Sequence, residues 1–156
     1  MKYSFKLLLF LLVTNFVYTQ TTLTAKVVAI KDGDTVVVLD SLNNQTTLRL
    51  SEVDTPEKSQ AFGTKAKQFT SDQIYLKTIK YVVTDIDRYG RSIAMIYYDV
   101  GNKYLSAEII KAGMGWHYKR YSTSKELALF EVNARKYKIG LWIDNNPIAP
   151  WEFRKI

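Results

Sequence analysis

Short segments rich in β-branched residues, separated by turn-forming residues, constrain the fold of this chain most strongly. Residues 24–30 and 35–39 flank the pair Asp32 and Gly33, and an Asp-Gly pair between such runs is a strong short-range signal for a β-hairpin. A third segment, residues 46–50, alternates leucine with polar side chains, which is typical of a half-buried strand. The first third of the chain therefore predicts an antiparallel three-stranded unit.

The rest of the chain alternates helical and strand patterns. Residues 60–76 carry apolar side chains at helical spacing, although Gly63 weakens the first turn. Two more strands and two more helices are predicted at residues 79–84, 93–98, 105–112 and 124–138. Five strands with a helix between the third and the fourth predict a mainly β chain with helices, a five-stranded Greek-key barrel of the OB type with about three helices.

The N-terminal segment, residues 1–19, has the pattern of a signal peptide. Lys2 and Lys6 precede an apolar run at residues 7–13, which is too short for a permanent membrane anchor. Small residues precede Gln20, so we expect cleavage there and a secreted or periplasmic location. The alternative is a buried N-terminal strand or helix.

Composition is consistent with one globular domain, residues 20–156. The chain has 156 residues, 47% of them hydrophobic, and no cysteine, so an exported form would depend on its core and not on disulfides. Loss of residues 1–19 would remove two lysines and no acid, and the formal charge would fall from +7 to +5. A basic domain favours a polyanionic partner, and we expect a monomer.

Charged residues of complementary chemistry recur at the turns of the predicted barrel. They are three acids and two arginines: Asp34, Asp54, Glu57, Arg49 and Arg91. Two carboxylates with a nearby carbonyl can hold a hard cation, a further carboxylate can position water, and guanidinium groups can grip a phosphate. Taken one by one, these residues are better explained as turn formers, solvated side chains or salt-bridge partners. Together they favour cleavage of phosphodiester bonds.

Three segments and a short C-terminal one carry a family resemblance. Residues 32–36 (DGDTV), 49–57 (RLSEVDTPE), 87–91 (DRYGR) and 140–142 (GLW) resemble, in order and approximate spacing, the signature segments of staphylococcal nuclease and its relatives. The likeness covers about residues 24–142. Each segment alone is a weak match, but three in register are specific.

The resemblance implies a calcium site made of Asp34, Asp54 and Thr55. Thr55 precedes Pro56, which pushes its backbone into an extended conformation and stiffens the turn. In such a turn the Asp54 carboxylate and the Thr55 carbonyl can face one point, as Ca²⁺ requires. Asp32 and Gly33 are interpreted only as turn formers.

The resemblance also implies the catalytic roles. Glu57 would act as the general base that deprotonates the attacking water, while Arg49 and Arg91 would bind the scissile phosphate and stabilise its transition state. Products would end in a 3′-phosphate and a 5′-hydroxyl. The proton donor to the leaving oxygen is left unassigned, with Arg91 or water as candidates.

Aromatic residues are the candidates for substrate binding. Tyr89 matches a tyrosine that the family places beside the nucleotide, and Tyr118 and Tyr121 resemble later tyrosines that contact base or phosphate. The segment around them does not align uniquely with the family prototype, so ordinary surface packing stays open for both. His117 is the only histidine, and one imidazole is weak evidence for a metal ligand or a general acid.

The sequence therefore predicts an exported, calcium-dependent nuclease. We expect it to cut DNA, and RNA as well, with little sequence preference and to favour single-stranded or frayed substrates. Two alternatives remain open: a non-catalytic OB-fold module that binds nucleic acid, and an exported barrel that binds a protein or polysaccharide surface. The C-terminal tail, residues 143–156, is expected to lie extended against the domain.

Overall fold

The computed structural model describes residues 21–156, so the predicted signal peptide and its cleavage point lie outside the described residues. The strands are β1 (Thr22–Asp32), β2 (Thr35–Leu39), β3 (Gln45–Leu50), β4 (Val53–Asp54), β5 (Thr78–Ile86), β6 (Ser92–Tyr98), β7 (Lys103–Tyr104) and β8 (Trp116–His117). The α-helices are α1 (Gly63–Ile74), α2 (Leu105–Lys111), α3 (Lys125–Lys136) and α4 (Pro150–Phe153), with a 3₁₀ turn at Gly140–Ile143.

Five strands close into a barrel, as the sequence predicts. The sheet has the order β3-β2-β1-β5-β6-β7, and a parallel pairing of β3 with β6 closes it. This pairing sets Leu48 opposite Ser92 and Leu50 opposite Ala94. The short strand β4 pairs separately with β8. The predicted α+β class, with a five-stranded OB-type barrel and three helices of ordinary length, is confirmed.

The barrel interior is filled by the apolar side of each strand. Val27, Val36, Leu48 and Ile96 are almost completely buried, and in β3 the burial follows the alternation of the sequence. Arg49, between two buried leucines, points away from them. The leucine face therefore forms the core, and the opposite face of β3 is available for polar contacts.

Helix α1 begins three residues later than the helical spacing predicts. The segment that precedes it passes through Phe62, which has a left-handed conformation with φ of 67°. Gly63 follows directly beneath the Glu57 carbonyl oxygen, and a Cβ at this glycine would overlap that oxygen. Residues 60–62 are therefore loop, because the chain there has to turn tightly under Glu57.

Helix α3 is capped as the sequence predicts. The Ser124 hydroxyl accepts a hydrogen bond of 3.2 Å from the Leu127 amide. Leu127 and Ala134 form the buried stripe, but Glu131 is also buried on this helix. Its carboxylate is matched by Lys119 at 2.9 Å and by a second cation on the same helix.

The C-terminal tail is not extended throughout, which corrects the prediction for residues 143–156. Pro150 starts the one-turn helix α4, because proline lacks the amide hydrogen that a first helical residue leaves unpaired. The tail packs through Trp151 against Trp116, at 6.4 Å between ring centroids. Within residues 21–156, no helix has the length and apolarity needed to cross a membrane.

Candidate functional site

The β1–β2 hairpin and strand β3 bring the first acid and the first arginine together. Thr35 pairs with Arg49 across β2 and β3, which places Asp34 next to the guanidinium. Arg49 Nη2 lies 3.2 Å from Asp34 Oδ2 and 2.9 Å from Asp54 Oδ1. Its Nη1 donates to the carbonyl of Val53 at 2.8 Å. One arginine thus ties the hairpin to the β3–β4 turn.

The turn that carries Thr55 packs directly on the hairpin. The Thr55 amide donates a hydrogen bond of 2.9 Å to Asp34 Oδ2. Gly33 makes this approach possible, since a Cβ there would come within 2.7 Å of the Thr55 hydroxyl oxygen. The Gly33 carbonyl in turn accepts from Thr70 on α1. Gly33 is therefore needed for close packing as well as for the hairpin turn.

Glu57 stands at the edge of this arrangement, beyond the buried Pro56. Its side chain is 38% exposed, whereas that of Asp54 is 1% exposed. The Glu57 amide donates to the Gln60 side-chain oxygen at 3.1 Å, and Gly63 lies below its carbonyl. Glu57 is held through its backbone while its carboxylate faces the solvent-accessible cleft.

Arg91 approaches the same place from the β5–β6 turn. Its Nε donates to Asp87 Oδ2 at 2.7 Å, and its amide donates to the other oxygen of the same carboxylate at 3.0 Å. Partial burial of Asp87 is outweighed by hydrogen bonds from Arg91 and Tyr89, so the pKa of Asp87 is lowered. Arg91 Nη1 reaches to 3.4 Å from the Thr35 hydroxyl, beside Asp34.

Burial raises the pKa of two acids that line the cleft. Burial, and next to it the charge of Asp34, raises the pKa of Asp32 to about 6. Burial likewise raises the pKa of Asp54, although hydrogen bonds and charge from Arg154 and charge from Arg49 act against it. Burial therefore makes the charged forms of these carboxyl groups costly, and cations close by are needed to keep them ionised.

One of those cations comes from the C-terminal tail. Arg154 Nη2 lies 2.7 Å from Asp54 Oδ2, and its Nη1 lies 2.6 Å from Glu57 Oε1. Hydrogen bonds to Asp54 raise the pKa of Arg154, against the effect of burial. Nothing in the sequence predicts a role for Arg154, because no spacing rule connects the tail to residues about a hundred positions earlier.

Aromatic rings line one side of the site. Tyr118 stacks on Trp151 with centroids 5.5 Å apart and planes 5° apart, and it meets the edge of Tyr121 at 4.9 Å. Tyr121 is 65% exposed. Tyr89 lies by the β5–β6 turn, where its ring contacts the guanidinium of Arg91 at 5.5 Å. Tyr118 therefore packs on Trp151, a partner that the sequence did not predict, and its role in substrate binding stays a prediction.

His117 belongs to a buried polar network behind the site. Its Nε2 lies 2.8 Å from the Ser122 hydroxyl, which donates to Glu52 at 2.7 Å, and Tyr104 donates to the other Glu52 oxygen at 2.9 Å. Burial lowers the pKa of His117. This network links the β3–β4 turn to the loop before α3, and neither Glu52 nor Ser122 carried a sequence signal.

All nine sequence-predicted site residues line a single cleft of about 1140 Å³. They are Asp34, Arg49, Asp54, Thr55, Glu57, Tyr89, Arg91, Tyr118 and Tyr121. Across the described part of the chain, no group of three or more His, Cys, Asp or Glu side chains is arranged to hold a metal ion. The predicted calcium set has only two carboxylates, Asp34 and Asp54, with one backbone carbonyl.

Comparison with known proteins decides the family. The family model described as staphylococcal nuclease homologue matches residues 47–144, more than half of the chain. The chain belongs to the staphylococcal nuclease family. The predicted resemblance is thus confirmed, and the matched region contains every predicted site residue except Asp34.

Relatives from bacteria and plants extend this result. An uncharacterized endonuclease of Haemophilus influenzae is 44% identical over 85% of this chain and 73% of its own length. A micrococcal nuclease of Shigella flexneri is 36% identical over 83% of this chain and 79% of its own. A staphylococcal-like nuclease of Arabidopsis thaliana is 38% identical over 69% of this chain, which spans only 33% of that protein.

Proposed function

We propose that this protein is a calcium-dependent nuclease that hydrolyses phosphodiester bonds of DNA and RNA with little sequence preference. Membership of a family of nucleases supports the reaction class. The observation that carries the proposal is the convergence of three acids and two arginines on one cleft. Asp34, Asp54 and Glu57 come from two different turns, and a purely structural explanation gives no reason for them to meet there.

The residues present fit a hard divalent cation. Asp34 and Asp54 are both buried, and the guanidiniums of Arg49 and Arg154 contact them, which marks a point of negative potential. Asp34, Asp54 and the Thr55 carbonyl would hold Ca²⁺, since this ion takes carboxylate and carbonyl oxygens. When bound, calcium supplies positive charge next to the attacked phosphate.

Glu57 would act as the general base. Its carboxylate is the most exposed of the three acids, so a water can reach it, while its backbone is fixed by Gln60. A carboxylate in this position can take a proton from the water that attacks phosphorus. Its location three residues after Asp54 keeps it near the cation without requiring it to be a ligand.

Arg49 and Arg91 would hold the scissile phosphate. Arg49 comes from the floor of the cleft and Arg91 from the β5–β6 turn, so the two guanidiniums approach one point from different directions. Preorganised donors of this kind stabilise the charge that develops on phosphorus oxygens in the transition state. If the chemistry follows the family, the products end in a 3′-phosphate and a 5′-hydroxyl.

Tyr89, Tyr118 and Tyr121 would contact the nucleotides on either side of the scissile bond. Aromatic faces accept any base, and calcium and arginine read phosphate, so little sequence preference follows. A cleft with aromatic and cationic walls admits one splayed strand more easily than a stacked duplex. We therefore propose single-stranded or frayed nucleic acid as the substrate, acted on by an exported monomer.

The test is degradation of denatured DNA by the domain of residues 20–156. We expect loss of polymer with calcium, none with chelator, and at least a 100-fold slower loss for Glu57→Gln, since general base catalysis contributes a factor of about that size. Glu126→Gln, an exposed carboxylate on α3 away from the cleft, is the control and should retain full turnover.

The same assay distinguishes the rival functions. A non-catalytic binding module would leave the DNA intact under all conditions and would give a salt-sensitive shift on a native gel. A barrel that binds a protein or polysaccharide would give neither result. Equal turnover of the wild type and Glu57→Gln would contradict the proposed role of this carboxylate.

A further inference from the structure

Arg154 occupies the carboxylates on which the proposed reaction depends. Its Nη2 pairs with Asp54 Oδ2 at 2.7 Å and its Nη1 with Glu57 Oε1 at 2.6 Å, while Nη1 also lies 3.3 Å from Asp54 Oδ1. One guanidinium therefore spans a proposed metal ligand and the proposed general base. Both oxygens of Asp54 are in contact with arginine, since Oδ1 also accepts from Arg49.

Arg154 and a divalent cation cannot both bind the same oxygen of the Asp54 carboxylate at the same time. Asp54 is 1% exposed, so its carboxylate has no solvent-facing oxygen for a second partner. Two cations a few ångströms apart in a partly buried site repel each other strongly. Arg49 contacts Oδ1 of Asp54, so Oδ2 is the oxygen that calcium can take, and Oδ2 becomes available when the guanidinium of Arg154 leaves it.

The tail holds Arg154 in this position through defined contacts. Trp151, three residues earlier in α4, stacks on Tyr118 and meets the edge of Trp116. The Gln60 amide group donates to the Ile148 carbonyl at 2.6 Å, so the loop after Glu57 is bonded to the tail as well. The ion pair is thus made by an anchored segment and not by a loose chain end.

We propose that Arg154 is an intramolecular competitor of the divalent cation, which closes the carboxylate site until metal and substrate displace it. The inference rests on the proposed function, because it takes Asp54 as a metal ligand. Displacement need not release the tail, since the contacts of Trp151 do not involve the guanidinium. The cation requirement of the enzyme is then set partly by its own C-terminal residues.

Competition of this kind has a measurable size. The apparent dissociation constant of a ligand rises in proportion as the fraction of molecules with an open site falls. The Arg154 side chain is 43% exposed, which weakens its ion pairs, but its partner Asp54 is buried. If the closed form holds about nine molecules in ten, removing Arg154 tightens calcium binding about tenfold.

Calorimetric titration with calcium alone, without nucleic acid, tests the proposal. We expect Arg154→Met to bind calcium about tenfold more tightly than the wild type, because the site no longer has an internal cation. Lys155→Met removes the same charge from the next position, where within residues 21–156 the lysine pairs with Glu152 alone, and should change the affinity less than twofold. In an Asp54→Asn background the gain from Arg154→Met should disappear.

Several outcomes overturn the proposal. Unchanged or weaker calcium binding by Arg154→Met would do so, and so would equal tightening by Lys155→Met, which would reveal a general charge effect. If Arg154→Met does not stay folded in chelator, Arg154→Lys, which keeps the charge but loses the two-armed geometry, should still tighten binding, by a smaller factor.

Failure of the proposed function gives a different result. If the wild type and all variants bind no calcium, the proposed metal site itself is wrong, and the competition falls with it. If the wild type binds calcium and degrades DNA while Arg154→Met shows the wild-type affinity, only the role of Arg154 is wrong.

Discussion

Arg49 and Arg91, which are both proposed to bind the scissile phosphate, differ in their burial and in their contacts. Arg49 is largely buried and contacts Asp34 and Asp54 as well as backbone carbonyls of the turn. Arg91 is one-third exposed and is held at its Nε edge by Asp87. In the proposed function, Arg49 would therefore contribute to both folding and phosphate binding, whereas Arg91 would contribute mainly to phosphate binding.

Replacing Arg91 by alanine should separate activity from stability. We expect turnover to fall ~100-fold, because one preorganised contact to the developing charge is worth on the order of 3 kcal/mol. The free energy of unfolding should change by less than about 1 kcal/mol, as for other partly exposed ion pairs. Steady-state kinetics and urea denaturation measure the two quantities.

Arg49→Met is the matched comparison at this scale. It leaves Asp34 and Asp54 without their shared buried partner, so we expect a loss of about 3 kcal/mol in stability together with the loss of turnover. Equal losses of stability and activity in Arg91→Ala would instead identify Arg91 as a structural residue.

At the scale of elements, the loop between β4 and α1 decides where the proposed general base stands. The loop passes from Glu57 through Phe62, with its left-handed backbone, to Gly63 at the start of the helix. Gly63 packs against the Glu57 carbonyl, and Gln60 bonds the Glu57 amide. The first turn of α1 is therefore a support for the site as well as a helix start.

Gly63→Ala should displace Glu57. The new methyl group would overlap the Glu57 carbonyl oxygen, which we expect to cost about 2 kcal/mol of stability through overpacking. Turnover should fall by about 100-fold, since a displacement of about 1 Å at a reacting group has an effect of that size. Gly101→Ala, where no atom lies near the new methyl group, is the control and should alter neither quantity.

At the scale of the whole molecule, a buried polar network connects the site to the C-terminal half of the chain. Glu52, in the β3–β4 turn, accepts hydrogen bonds from Tyr104 and Ser122, and Ser122 bonds His117. The Tyr118 amide donates to the Glu52 carbonyl at 2.9 Å. The network therefore holds the barrel, the start of helix α3 and Tyr118 in fixed positions relative to one another, behind the carboxylates.

His117 makes the stability of this arrangement depend on pH. Burial lowers its pKa in the folded state, against the attraction of Glu131 and, more weakly, Glu52, while Lys119 acts in the same direction as burial. The unfolded chain therefore binds more protons below pH 6.5, and stability is lost as the pH falls from 6.5 toward the lower folded-state pKa. The slope reaches at most ~1.4 kcal/mol per pH unit.

Urea denaturation between pH 5 and 7.5 measures this pH dependence of the stability. The glutamine of His117→Gln cannot take up a proton. The free energy of unfolding of the wild type relative to this variant should therefore decrease as the pH falls below 6.5. A wild type that instead gains stability relative to the variant at low pH would show that the folded protein prefers the charged imidazole.

Most of the barrel and of the carboxylate site follows from local patterns. The Asp-Gly hairpin, the alternation in β3 and the Ser124 cap each involve residues within a few positions of one another. Such local preferences are properties of short peptides, so they can be read without the rest of the chain. The positions of Asp34, Arg49 and Asp54 are fixed by two turns of this kind.

The features that only the tertiary structure decided are contacts between distant parts of the chain. Arg154 meets Asp54 across 100 positions, and Trp151 stacks on Tyr118 because the tail folds back over the β4–β8 ribbon. The late start of α1 likewise results from packing under Glu57. No local preference specifies these contacts, because their free energy appears only when the barrel has closed and brings the segments together.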